Sequence, residues 1–107
     1  MDEKLNETAF VSFGTALKAV KEGKLATRVG WNDVFIFQRP ADILEIDMVV
    51  NHVKSLPQSV KDWFRTSQQS VVEFTPYLCM KSADNKVVNG WLASQEDMLA
   101  NDWFILG

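Results

Sequence analysis

The chain is predicted to be an α+β domain: an antiparallel sheet with an N-terminal helix and short inserted helices. Three observations carry this. Phe13, Ala16, Leu17 and Val20 recur at i, i+3, i+4 and i+7, the period of one helix face. Short β-rich runs bounded by turn residues lie on both sides of a mixed middle. Their order (helix, strands, short helix, strands, short helix, strand) suits an antiparallel sheet with helices packed on it. The 107 residues, 47% hydrophobic and 23% charged, are ordinary for one globular domain, 1–107, and the middle at about 40–70 reads as an insertion.

Residues 1–11 read as a loose or weakly helical lead-in. The first helix then starts behind Ser12, whose hydroxyl can cap free N–H groups, and stops at Gly23, which tolerates a left-handed backbone. Lys18, Lys21 and Lys24 form a basic edge that suits the helix dipole. Leu25–Gly30 and Val34–Gln38 read as a hairpin across Asn32-Asp33, ended by Arg39-Pro40. Ile43–Val53 mixes β-branched residues with alternating charges (Glu45, Asp47) and is compatible with strand or helix, with strand as the expectation. Pro57 opens a helix over about 57–66, with Val60, Trp63 and Phe64 as its apolar face and Trp63 in the core or at a subunit interface. Thr66–Ser70 is a polar loop. Val71–Phe74 and Pro76–Lys81 are extended, and Lys86–Leu92 pairs back across the turn Ser82–Asn85. Ser94 with Asp97 three residues on is a capping box, with Met98 and Leu99 as the first buried side chains behind it. Trp103–Leu106 is the last strand.

Composition excludes several classes. A net charge of −3, from 14 acidic and 11 basic side chains, gives no basic stripe for polymeric nucleic acid. Cys79 is the single cysteine and His52 the single histidine, which leaves no internal disulfide and no zinc cluster; Cys79 reads as a small buried side chain. The charged N-terminus lacks a signal-peptide core and no run reaches membrane-spanning length, so a soluble, cytoplasmic chain is expected. No glycine-rich phosphate loop, activated nucleophile, metal set or cofactor motif is legible, and no catalytic residue is assigned.

The segment Gly90–Trp103 is the most informative. It packs two indoles, a serine, a glutamine and acidic side chains around a helix start, a combination suited to a ligand with a phosphate and a base. Core packing is the ordinary role of Trp31 and Trp91, and capping that of Asp97. Against it stands a binding reading in which Trp31 and Trp91 stack on a base or ribose. There, Arg28 and Asn32 contact phosphate and base edge, Ser94 offers its turn, and Asp97 caps or accepts a ribose hydroxyl.

Two blocks carry a family resemblance. Phe13-Gly14-x-Ala16-Leu17, Gly23-Lys24 and Arg28-x-Gly30-Trp31-Asn32 resemble the N-terminal signature of the Thoeris anti-defence protein two family. Pro76-Tyr77-x-x-Met80-Lys81 and Trp91-Leu92-Ala93-Ser94-Gln95-x-Asp97-Met98-Leu99-Ala100-x-Asp102-Trp103 resemble its C-terminal signature. The blocks cover roughly half the chain. The resemblance implies a phage-encoded sponge that sequesters, without cleaving, a cyclic ADP-ribose isomer released by Thoeris immune enzymes. Some members also capture cyclic dinucleotides. It further implies a homotetramer with ligand sites between protomers, and ligand-binding roles for Phe13, Arg28, Trp31, Asn32, Trp91, Ser94 and Asp97. The chain departs from the family pattern in its longer middle, in Asp33 where glycine is common, and in Asn89-Gly90 where proline is frequent. These departures bear on ligand preference more than on fold. A protein-binding inhibitor using exposed tryptophans, or an enzyme degrading the same nucleotides, are the competing classes.

Overall fold

The computed structural model describes residues 10–107, so the predicted lead-in, apart from Phe10 and Val11, lies outside the described residues. In chain order the elements are α1 (Phe13–Lys21), β1 (Ala26–Arg28), β2 (Phe35–Arg39), β3 (Asp42–Glu45), α2 (Ile46–His52), α3 (Gln58–Thr66), β4 (Val71–Phe74), β5 (Tyr77–Lys81), β6 (Val87–Asn89), α4 (Gln95–Leu99) and β7 (Trp103–Ile105). The α+β class stands. The chain divides into two compact units, one running up to Arg39 and resuming at Tyr77, the other spanning Pro40–Pro76.

The first unit is a five-stranded antiparallel sheet in the order β6-β5-β2-β1-β7. Helix α1 forms as its sequence dictates: Ser12 caps it by accepting the Thr15 N–H, and Gly23 follows its end at φ 97°. Ala16 and Val20 on its inner face meet Ala26, Ile36 and Trp103 in the fully buried core. The predicted hairpin of β1 and β2 exists, with shorter strands and a longer connection. The buried Thr27 hydroxyl closes that loop by donating to the Val34 carbonyl at 2.6 Å, so its polar atom is satisfied. Beyond the tight turn, Lys81 Nζ donates to the Asp33 carbonyl at 2.6 Å, steadying a non-glycine residue at φ 60°. Cys79 is fully buried.

The second unit pairs β3 with β4 in an antiparallel ribbon from Asp42↔Phe74 to Glu45↔Val71 and adds α2 and α3. The predicted strand over Ile43–Val53 is therefore corrected: it stops at Glu45 and continues as a helix. Ile46, Val49, Val50 and Val53 lie at i, i+3, i+4 and i+7, a helical period masked by their β-branching. Asp47 in the first turn and His52 in the last suit the helix dipole. Helix α3 follows Pro57 as predicted. Trp63 does not enter a core within this chain, being 62% exposed with its ring edge-on to Phe64. Among the described residues, no helix is long and apolar enough to cross a membrane.

Candidate ligand-binding site

Four aromatic rings from distant parts of the chain meet beside α4. Trp103, on β7, is fully buried and acts as the hub. Trp31, after β1, stands edge-on to it with ring centroids 5.2 Å apart. Trp91, after β6, lies 6.3 Å from Trp103 and 6.2 Å from Trp31, again edge-on in both cases. Phe13, at the start of α1, closes the group 5.4 Å from Trp103 and 6.5 Å from Trp91. Edge-to-face contact matches the positive rim of one ring to the negative face of another. Trp31, Trp91 and Phe13 are only partly buried and pack against the core rather than within it.

Backbone bonds fix the two outer indoles. The Trp31 N–H donates to the Arg28 carbonyl at 3.1 Å, and the Trp91 N–H to the Leu78 carbonyl at 2.8 Å. The Trp103 indole N–H donates to the Asp97 carbonyl at 2.8 Å, tying α4 to the hub. Among the described residues, no acceptor meets the indole N–H of Trp31 or Trp91.

Helix α4 starts as the capping box foresaw. The Ser94 hydroxyl accepts the Asp97 N–H at 3.0 Å while Asp97 accepts the Ser94 N–H at 3.0 Å. The expectation that Met98 and Leu99 are buried is corrected, since they are 40% and 76% exposed. A helix of this length turns only one narrow stripe inward, and here the inward contacts come from its cap and the Asp97 carbonyl.

Arg28 is the electrostatic post of the site. Its Nη1 donates to Asp97 at 2.8 Å and its Nε to Asp102 at 2.9 Å, with Nη2 reaching the second Asp102 oxygen at 3.4 Å. Its guanidinium also lies 5.9 Å from the Trp103 ring. The hydrogen bond to Asp102 is the leading reason why the Arg28 guanidinium holds its proton more firmly than usual, against the opposing cost of burial. For Asp97, burial works against ionisation, yet donation from the Ser94 N–H and from Arg28 outweighs it and holds the carboxyl below its ordinary range.

The structure thus brings together Phe13, Arg28, Trp31, Trp91 and Asp97 from the sequence prediction. Ser94 adjoins them through the cap, and Asn32 sits exposed on the loop after Trp31. Sequence reasoning missed Asp102 as the bidentate partner of Arg28. The only available signal was an acidic residue beside Trp103 in the tail signature, because 74 residues separate the two in the chain. Three charges in close contact sum to −1, so Arg28 has little free charge for an anion. In the second unit, a cavity of about 190 Å³ is lined by Ile46, Val50, Asn51, Phe64 and Gln68 among others.

A small α+β domain carrying a partly open tryptophan cluster on a charge-braced helix is the class defined by this geometry. A family model described as the Thoeris anti-defense 2-like domain matches residues 11–106, and the chain belongs to that family. A relative from Bacillus phage SP01, described as Thoeris anti-defense 2, is 33% identical over 98 residues, covering 90% of this chain and 94% of that protein. Family membership supports an anti-defence role.

Proposed function

We propose that this chain is an anti-defence sponge that binds and holds, without cleaving, a cyclic ADP-ribose-type immune signal. The supporting observation is the aromatic group: Trp31 and Trp91 are only partly buried and no acceptor among the described residues takes their indole N–H groups, while Trp103 and the Arg28–Asp97–Asp102 brace hold them in place. Stacking platforms with neutral donors suit a nucleotide held by its base and ribose faces. Sequestration needs affinity and slow release rather than transition-state stabilisation, so the site requires no acid, base or nucleophile.

On this reading Phe13, Trp31 and Trp91 form the apolar wall, and Asn32 and Ser94 are the exposed polar contacts. Arg28 and Asp97 position the wall. The rings largely fill one another's space, so we assign to each protomer part of a site that a second copy completes, in a homotetramer acting in the host cytoplasm. Cyclic dinucleotides are the second ligand class. We further propose that the segment at about 40–70, within the unit from Pro40 to Pro76, is an insertion.

The exposed Trp63 favours one competing reading, a protein-directed inhibitor that uses this indole as an anchor. A single experiment separates the classes. Protein is mixed with cyclic ADP-ribose isomers and cyclic dinucleotides, the free nucleotide is measured, the protein is heat-denatured, and the supernatant is assayed. A sponge depletes the free nucleotide and returns it intact. Recovery of a cleavage product, or nucleotide that stays free throughout, overturns the proposal.

A further inference from the structure

Directly opposed residues on antiparallel strands share a sheet face, and side chains alternate along a strand. The pairs Arg39↔Tyr77 and Cys79↔Asn89 therefore place Arg39, Tyr77, Cys79 and Asn89 on one face of the sheet. That face is opposite to the one on which Ile36, Leu78 and Met80 join the α1 core. Three donors converge there on one oxygen. Asn89 Oδ1 accepts from Arg39 Nη1 at 3.2 Å and from Tyr77 Oη at 3.5 Å, with Cys79 Sγ at 3.6 Å. The Arg39 guanidinium lies 5.4 Å from the centroid of the Tyr77 ring.

The charge balance here differs from that at the other arginines. Arg28 is matched by two carboxylates and Arg65 by Asp62. Among the described residues, Arg39 has no carboxylate partner; its neighbours are a carboxamide and a phenol. Because Asn89 spends its oxygen on Arg39 and Tyr77, its NH₂ group remains as a donor, and the guanidinium retains N–H groups beyond the one that is bonded. The result is a cationic cluster of surplus donors, ordered by a ring and three neighbouring strands, in a chain of net charge −3. A simple cross-link between strands explains the Arg39–Asn89 bond. It does not explain a guanidinium held over an aromatic ring with no carboxylate among the described residues to match it.

We propose that Arg39, Tyr77 and Asn89 form a second binding site, for an oxyanion head group, phosphate or carboxylate. Arg39 and the Asn89 carboxamide donate to it, and Tyr77 holds the guanidinium plane. The site is separate from the tryptophan cluster, which packs against the opposite, core-facing side of the sheet, and it stands or falls independently of the sponge reading.

The test is a titration of the isotope-labelled full chain, followed by the NMR signals of the Arg39 Nε–H and the Asn89 side-chain amide. Inorganic phosphate and acetate are added separately at constant ionic strength. Saturating shifts with either anion support the site, and the anion that saturates identifies the head group. Loss of one charge-assisted contact in Arg39→Gln weakens binding about tenfold. Asn89→Asp, which keeps the acceptor for Arg39 but removes the donors and adds a negative charge, abolishes it. Lys21→Gln, at the end of α1, leaves it unchanged. Shifts that stay linear with both anions, or an Arg39→Gln protein that binds like the wild type, overturn the proposal.

Discussion

The two units of this chain close cores of very different size, although both leave apolar side chains open, Leu92 and Leu99 in the sheet unit and Ile43 and Trp63 in the other. The sheet unit closes on Ala16, Val20, Ala26, Ile36 and Trp103, all fully buried, and α1 and α4 are each capped by a serine side chain. The unit from Pro40 to Pro76 buries Val49 and Val72, while Ile43, Met48, Trp63 and Val71 remain open and neither helix has a side-chain cap. It is also shorter than the roughly 40 residues below which a domain usually needs staples or partners. Stability in this protein is therefore concentrated in the sheet unit, and the same residues that supply it frame the candidate ligand site.

Trp103→Ala tests this concentration most severely. It removes the largest buried side chain, empties the hub of the aromatic group and releases the Asp97 carbonyl, so a loss of about 3–5 kcal/mol is expected in urea unfolding. A loss no larger than that of a surface tryptophan would break the comparison. Arg28→Ala comes next, at about 3 kcal/mol, because it leaves Asp97 and Asp102 facing each other without their cation; partial exposure of Asp102 puts the effect at the lower end for a broken buried pair. Arg28→Lys should recover only part of this, since an ammonium cannot bridge both carboxylates as the planar fork does.

Trp91→Ala sharpens the comparison on the functional side. Loss of one stack should weaken nucleotide binding by about 1–3 kcal/mol in calorimetry while the fold persists, and unchanged affinity would return this indole to a packing role. Smaller effects are expected at the α4 cap, where Ser94→Ala should cost about 1 kcal/mol. The pH dependence follows from Asp97. Its carboxyl lies below the ordinary range in the folded state, so its contribution is present above the unfolded pKa of about 4 and is lost as pH falls through the folded value. Asp97→Asn should flatten that acid limb in thermal melts. The smallest effect is expected in the second unit, where Trp63→Ser should change stability by no more than about 0.5 kcal/mol.

Legibility in the sequence followed the range of the interaction. Ser12, Gly23, Pro57 and the Ser94–Asp97 box act over three or four residues, and each marked its helix correctly. Helix α2 escaped because Ile46, Val49, Val50 and Val53 favour strands by side-chain shape while their spacing is helical, and Glu45 provides no side-chain cap. The partner of β4 escaped for a different reason: Val71–Phe74 and Tyr77–Lys81 are both extended, and nothing local shows that the first joins β3 and the second β2. Within the candidate site, the residue types and most of the members were readable. The Arg28–Asp102 pair was not, because only the alignment of β1 against β7, which sets Arg28 opposite Trp103, carries Asp102 to the guanidinium.

The pairing of Arg39 with Tyr77 has a consequence for how this protein can change. These two residues flank the whole Pro40–Pro76 stretch, and as opposed residues on antiparallel strands their Cα atoms lie about 5 Å apart. The sheet therefore supplies the closure that any loop at this position would otherwise have to achieve against its own entropy, and that cost rises only slowly with length. A two-residue turn, a longer loop or a folded segment can each be grafted here while the ladder of β2 and β5 remains in register. The fold thus carries a docking port for new sequence, in which a chain can diversify while Trp31, Trp91 and Trp103 stay on the sheet unit.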